Sequence, residues 1–209
     1  MENTFLSKLK QQLKLPLPGM EVQFEMAHVN REKVKHEELN PSEYKNSSVL
    51  LLLIERDGQF YIPLTERHTY AGVHSGQVSF PGGKFDALDV TLEKTALREC
   101  YEEIGLLNNI EIIGELSPVY IPVSKFMVNP FVAVLNHKEI VYEVNEAEVK
   151  NIFELSLKDL MLPELIKRTT VEPMPGMKLK TPYYDVQGKI VWGATAMILN
   201  EFKHLLLKL

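Results

Sequence analysis

Apolar residues along this chain change their period from one stretch to the next, and those changes mark its elements. Phe5, Leu6, Leu9 and Leu13 recur at helical spacing behind Asn3 and Thr4, which can cap, and Pro16, Pro18 and Gly19 end the run. The pattern predicts an amphipathic N-terminal helix, forming an appendage over residues 1–20. Residues 27–46 are polar and irregular. Two apolar runs, 48–55 and 60–65, then flank Asp57-Gly58, a dipeptide suited to a two-residue hairpin turn. After a loop over 68–83, helical spacing returns over 91–104 and stops at Gly105, where a left-handed cap is favoured. Residues 110–116, 131–135 and 140–144 read as strands, with Pro118, Pro122 and Pro130 punctuating the loop between the first two. Residues 156–166 read as a short helix broken at Pro163, 177–186 and 189–192 as a hairpin around Gln187-Gly188, and 194–209 as a closing helix. Strands interspersed with helices imply an α/β sheet covered by helices, in a single domain spanning all 209 residues.

Composition narrows what such a domain binds. With 24% charged residues and a net charge of -5, the chain has no global attraction for nucleic acid or an anionic membrane. A phosphate-bearing ligand would need a local cation or a local cluster of Lys and Arg. Cys100 is the single cysteine, which excludes an intrachain disulfide and a cysteine-based zinc site and points to a reducing, cytoplasmic setting. The longest apolar candidate, residues 49–54, has the length of a strand, so no membrane span is expected.

The helix over 91–104 carries the candidate chemistry. Leu92, Ala96, Cys100 and Ile104 share one arc, and Glu99, Glu102 and Glu103 lie on the neighbouring arc. Glu99 and Glu103 stand four residues apart and Glu102 three from Glu99, so the carboxylates repel one another by a few tenths of a kcal/mol per pair in water. A hard divalent cation, Mg²⁺ or Mn²⁺, would turn that repulsion into attraction and keep waters in its remaining positions. Taken alone, such a cluster is more often a solvated helix face. The preceding Ser79-Phe80-Pro81-Gly82-Gly83 alters this, because two glycines ahead of the helix allow the backbone to approach a ligand. A tight turn remains the alternative reading of that pair.

In their order, these residues resemble the signature of the Nudix hydrolases: Gly83, Asp89, then Arg98-Glu99-Cys100-Tyr101-Glu102-Glu103-Ile104-Gly105-Leu106. The usual spacing back from Arg98 falls on Val90, so Asp89 fills the acidic position only with one residue inserted. Upstream, residues 64–67 (Leu-Thr-Glu-Arg) and 74–83 look like the additional motif of the coenzyme A pyrophosphatase branch, with Gly72 where that branch usually has arginine. The likeness spans most of residues 48–205.

The resemblance implies an α/β/α sandwich with a mixed β-sheet, and attack of water on a pyrophosphate assisted by Mg²⁺ or Mn²⁺. It implies Glu99 and Glu103 as principal metal ligands, Glu102 as a third ligand or a base, and Arg98 as the group that orients a neighbouring carboxylate. Arg67, His74, Gly82, Gly83 and Lys84 are the candidate substrate contacts; for Arg67 the alternative is an ordinary ion pair, for His74 and Lys84 a bond to the loop or to solvent. Gln77 and Ser79 would orient the loop. Phe126 and Met127 either contact an adenine or pantetheine group or pack in the core, Trp192 is expected in the core, and Cys100 serves as a small apolar filler. The substrate implied is a small nucleotide-containing molecule: coenzyme A or acyl-CoA, cleaved to 3',5'-ADP and (acyl-)4'-phosphopantetheine. ADP-ribose or a dinucleotide is the alternative within the enzyme class. A nucleotide-sensing domain without turnover is the alternative outside it. Pairing of two subunits through the terminal helices stays open.

Overall fold

The computed structural model describes residues 4–34, 38–68, 76–136, 140–174 and 176–209. Its centre is β1 (Lys45–Arg56), in which Leu50 to Ile54 are completely buried. A run buried on both faces calls for cover on each side. β2 (Gln59–Arg67) returns antiparallel to it, Ile54 facing Tyr61, through Asp57 and Gly58 at φ 50° and 74°. Two consecutive left-handed residues match the twist of a tight hairpin, as the sequence indicates. β3 (Val78–Ser79) pairs with the end of β2, and β4 (Gly82–Lys84) runs antiparallel to the start of β1.

Further along the chain come α3 (Leu92–Ile104), β5 (Ile110–Glu115), β6 (Val119–Ile121), β7 (Phe126–Leu135) and β8 (Val149–Ser156), after two N-terminal helices, α1 (Thr4–Gln12) and α2 (Met20–Gln23). β7 lies parallel to β1 over its whole length, whereas β5 and β6 join β7 antiparallel and β8 joins β2 antiparallel, giving an eight-stranded mixed sheet. A one-turn helix, α4 (Leu157–Leu160), and a 3-10 turn at Pro163–Leu165 lead to a second, antiparallel sheet of β9 (Ile166–Met174), β10 (Met177–Val186) and β11 (Lys189–Val191), and α5 (Gly193–Leu206) follows.

Strand alternation sorts the core into two halves. Leu50, Leu52 and Ile54 face Ala96, Cys100 and Ile104 of α3. Leu51 and Leu53 belong to the other side, with Leu9 of α1, Tyr184 of β10 and Ile198 and Phe202 of α5. Helices thus cover both faces of the main sheet. None of the helices among the described residues is long and apolar enough to cross a membrane.

Several expectations differ from the structure: the loop expected between residues 116 and 131 holds β6 and the first half of β7, and the loop expected over 68–83 holds β3 and the start of β4. Residues 140–144 are not a strand: Ile140 and Tyr142 pack against the α3 side of the core, while Glu143 N donates to Ile104 O at 3.1 Å and Asn145 N to Glu103 O at 3.1 Å. Their backbone satisfies the open carbonyls at the end of α3 in place of a sheet edge. The helix expected over 156–166 is confined to α4 and the 3-10 turn, since Pro163 interrupts it. The chain also forms β8 and β9, which the apolar pattern does not announce, because β9 is largely polar and β8 mixes buried and exposed positions without alternation.

Candidate functional site

The approach to α3 explains how its acids are held. Asp86 caps a 3-10 turn, Ala87–Asp89, by accepting from Leu88 N at 2.9 Å, and Asp89 returns the contact by accepting from Asp86 N at 3.0 Å. Val90 then takes φ 67°, a conformation costly for a β-branched residue. Thr91 caps α3 by accepting from Lys94 N at 3.2 Å. The kink at Val90 turns Asp89 back over the helix, where it accepts from Thr95 Oγ1 at 2.8 Å, from Arg98 Nε at 2.6 Å and from Arg98 Nη2 at 2.9 Å.

Arg98 is the hub of the site. Beyond Asp89, its Nη1 donates to Glu99 Oε1 and to Glu102 Oε2, each at 2.8 Å, and its Nη2 to Lys84 O at 3.2 Å. The guanidinium holds the Asp89 carboxyl well below the usual carboxylate range. Deeper in the site, Glu103 is fully buried and accepts from Arg67 Nη2 at 2.9 Å and Thr65 Oγ1 at 3.3 Å. Burial pushes the Glu103 carboxyl up to about 7 against the opposing pull of Arg67, and burial also raises that of Glu99. The three acids therefore form a gradient from the core to solvent: Glu103 side chain 1% exposed, Glu99 13%, Glu102 46%.

β4 brings the Gly-Gly pair against these acids. A Cβ on Gly83 would overlap the Glu99 carboxylate as it stands, and one on Gly82 would lie 2.7 Å from Val49 Cα in the main chain of β1. Gly82 O also accepts from Arg67 Nη2 at 3.1 Å. Beside this floor opens a cleft of about 720 Å³, reached by Arg67, Gly82, Gly83 and Lys84 and walled by apolar groups including Phe126 and Val128. Its size and mostly apolar lining suit a nucleotide-sized ligand.

Of the expected site residues, Arg67, Gly82, Gly83 and Lys84 line this cleft, whereas Arg98, Glu99, Glu102 and Glu103 stand on α3 behind it, joined to the lining residues through the Arg67–Glu103 pair and the bond from Arg98 to Lys84 O. Arg67 is engaged with Glu103 and Gly82 while also lining the cleft. Gln77 and Ser79 line it as well. His74 and Gly72 lie outside the described residues. Met127 is buried in the core, but its neighbour Phe126 reaches the cleft. Trp192 is a correction, since it lines the cleft and not the core. Cys100 is buried and its thiol is pushed up to about 12, which leaves it an unreactive filler. Thr65 is a partner that sequence reading missed, because its bond to Glu103 joins two distant elements. Asp89, named in the sequence as the acid displaced by one residue, stands beside Arg98.

As the side chains stand, no three acidic, imidazole or thiol groups among the described residues converge on one point. Arg98 and Arg67 draw the glutamates aside. The donor set nevertheless fits a hard divalent cation: Glu99 and Glu103 lie one helical turn apart beneath the glycine floor, and the two-point contact of Arg98 with Asp89 uses Nε and Nη2, leaving only Nη1 on Glu99.

Comparison with known proteins identifies the family. The family model described as the NUDIX domain matches residues 44–173. An uncharacterized Nudix hydrolase, NudL, from Enterobacter sp. (strain 638) is 34% identical over 176 residues, covering 82% of this chain and 86% of its own. "Nudix hydrolase 3" from Caenorhabditis elegans is 31% identical over 189 residues, covering 80% and 76%. A MutT/nudix family protein of Enterococcus faecalis superposes with a TM-score of 0.50 at 15% identity, covering 98% of this chain and 75% of that one, which supports the fold alone. The chain belongs to the Nudix family of hydrolases, enzymes that act on phosphoanhydride bonds of nucleotide derivatives and generally use divalent metal ions such as Mg²⁺ or Mn²⁺.

Proposed function

We propose that this protein hydrolyses the pyrophosphate of coenzyme A or acyl-CoA, giving 3',5'-ADP and (acyl-)4'-phosphopantetheine. The observation that carries the reading is a largely apolar cleft lined by Gly82 and Gly83, the second of which also stands against the Glu99 carboxylate of α3. A pyrophosphate needs the acids, and a pantetheine arm needs an apolar wall. The likeness of the sequence over 64–67 and 74–83 to the coenzyme A pyrophosphatase motif supports the same substrate, since Arg67, Gln77, Ser79, Gly82 and Gly83 all line that cleft.

In this reading Glu99 and Glu103 hold the divalent cation. A bound cation of this kind supplies charge to offset the negative charge developing on the phosphates and makes a water molecule more acidic. Glu102, the most exposed of the three, is either a third ligand or the base that accepts the proton of the attacking water. The water oxygen forms a new bond to one phosphorus, the bond from that phosphorus to the bridging oxygen breaks, and the second phosphate leaves with that oxygen. Arg98, tied to Asp89, fixes the rotamers of the acids beside it. Arg67 keeps Glu103 ionisable in a buried place through their ion pair.

Incubation with coenzyme A and Mn²⁺, read by chromatography for 3',5'-ADP and phosphopantetheine, tests the proposal. Product is expected, and Glu99→Gln and Glu103→Gln should each lower kcat by about 100-fold or more. Absence of product from the parent protein refutes the substrate, and unchanged turnover in both variants refutes the ligand assignment. ADP-ribose and a dinucleotide belong in the same panel: coenzyme A ranking lowest by kcat/KM would transfer the reading to another nucleoside diphosphate derivative.

A further inference from the structure

The polar stretch after α2 contributes more than a connection. Val29 N donates to Lys180 O of β10 at 3.1 Å, and Arg31 N to His28 O at 3.0 Å, which folds a short turn against the mouth of the cleft. Arg31 lines both the 720 Å³ cleft and an adjoining cavity of about 360 Å³. Its Nη2 donates to Tyr120 O at 2.6 Å and its guanidinium carbon lies 5.8 Å from the Phe24 ring centroid. It forms no ion pair with a carboxylate among the described residues, although Glu32 lines the same two cavities. Burial, with no acid to offset it, draws the Arg31 guanidinium down to about 10. Arg31 is thus partly buried on the lining of two cavities, with guanidinium donors to spare and no carboxylate among the described residues to take them, as a site for a ligand anion requires. His28 repeats the pattern, for its Nδ1 is buried without a hydrogen-bond partner and its side chain lines the cleft.

Strand register fixes where this group stands relative to the acids. Lys84 faces Ser47 of β1, Ser47 faces Val128 of β7, and Val128 faces Val119 of β6, next to the Tyr120 that holds Arg31. Three interstrand spacings separate the backbones by about 14 Å. With a long side chain reaching inward from Arg31, that span accommodates two anionic groups on one ligand.

We propose that Arg31, with His28 beside it, binds a second anion of the substrate, a phosphate monoester separate from the scissile pyrophosphate, and thereby selects nucleotides that carry one. The inference rests on the coenzyme A reading above and names its specificity residue. The test compares kcat/KM for coenzyme A and for dephospho-coenzyme A, which lacks only that monoester, in the parent, Arg31→Met and Arg31→Lys. The parent should prefer coenzyme A by about tenfold or more, Arg31→Met should abolish the preference and Arg31→Lys should recover part of it. A parent that treats the two alike, or an Arg31→Met protein in which both substrates fall together with their ratio kept, overturns the inference while leaving pyrophosphate hydrolysis standing. Should the parent cleave neither, the coenzyme A reading falls by itself, and calorimetric binding of adenosine 3',5'-bisphosphate against AMP decides the subsite: a preference lost in Arg31→Met supports it, and equal binding overturns it.

Discussion

Asp89 never needs to meet the substrate to matter for turnover. It takes two hydrogen bonds from Arg98 and one from Thr95, and so keeps the guanidinium on its own side of Glu99. Asparagine in its place accepts at one oxygen only and carries no charge. Arg98 should then settle on Glu99 and Glu102 and compete with the cation for them. Asp89→Asn is expected to lower kcat by about 10–100-fold and to raise the Mn²⁺ concentration needed for half-maximal rate, measured by a metal titration of turnover. The same residue shapes the acid limb of stability. Its carboxyl is depressed in the folded state, so its contribution is present above the unfolded value near about 4 and lost as pH falls through the lower folded value. Urea midpoints across that range should fall less steeply in Asp89→Asn than in the parent. Counting residues back from Arg98 leads to Val90 and obscures this acid. The positive φ of Val90, beside which Asp89 meets Arg98, is a backbone event that spacing alone does not reveal.

At the level of elements, β4 and α3 divide the two adjacent glycines between stability and chemistry. A methyl group on Gly82 meets main-chain atoms of Ser48 and Val49 in β1, which cannot yield without breaking the sheet. Gly82→Ala should therefore destabilise by about 1–3 kcal/mol, as seen in a denaturant midpoint. A methyl group on Gly83 meets only the end of the Glu99 side chain, which can rotate. Gly83→Ala should unfold near the parent midpoint and yet lose turnover by about tenfold or more, because the displaced carboxylate is a proposed ligand. Equal stability loss in both variants would remove this distinction. The Gly-Gly loop and the helix over 91–104 were legible because glycine, caps and helical period are local signals. The strands β8 and β9 were not, since their place is set by pairing with β2 and β10 and not by their own alternation. Residues 140–144 misled in the opposite sense: their apolar pattern is real, but α3 claims their backbone.

For the molecule as a whole, the question is whether the N-terminal segment is an appendage or part of the same cooperative unit. Helical period announces α1 but says nothing of what it packs on, because its partners lie far away in sequence. Leu9 is fully buried in the cluster that holds Leu51 and Phe202, and the rings of Phe5 and Phe60 lie 4.9 Å apart. A polar tie accompanies this packing: buried Glu201 of α5 accepts from Gly19 N at 2.9 Å, Gln23 Nε2 at 2.8 Å and Ser117 Oγ at 2.6 Å. The segment is thus joined to α5 and to the loop before β6, the strand whose Tyr120 holds Arg31. Leu9→Ala removes atoms from a site enclosed on all sides, and such truncations cost about 2–5 kcal/mol. If the segment and the main sheet unfold together, that loss should appear equally in far-UV circular dichroism and in the fluorescence of Trp192, which stands at the cleft far along the chain from Leu9. Two separated transitions, with only the first moved by Leu9→Ala, would instead make the N-terminal helix an independently melting attachment. In that case Leu9→Ala should leave the coenzyme A preference intact, whereas a shared unit should lose cleft geometry and Trp192 packing at the same denaturant concentration.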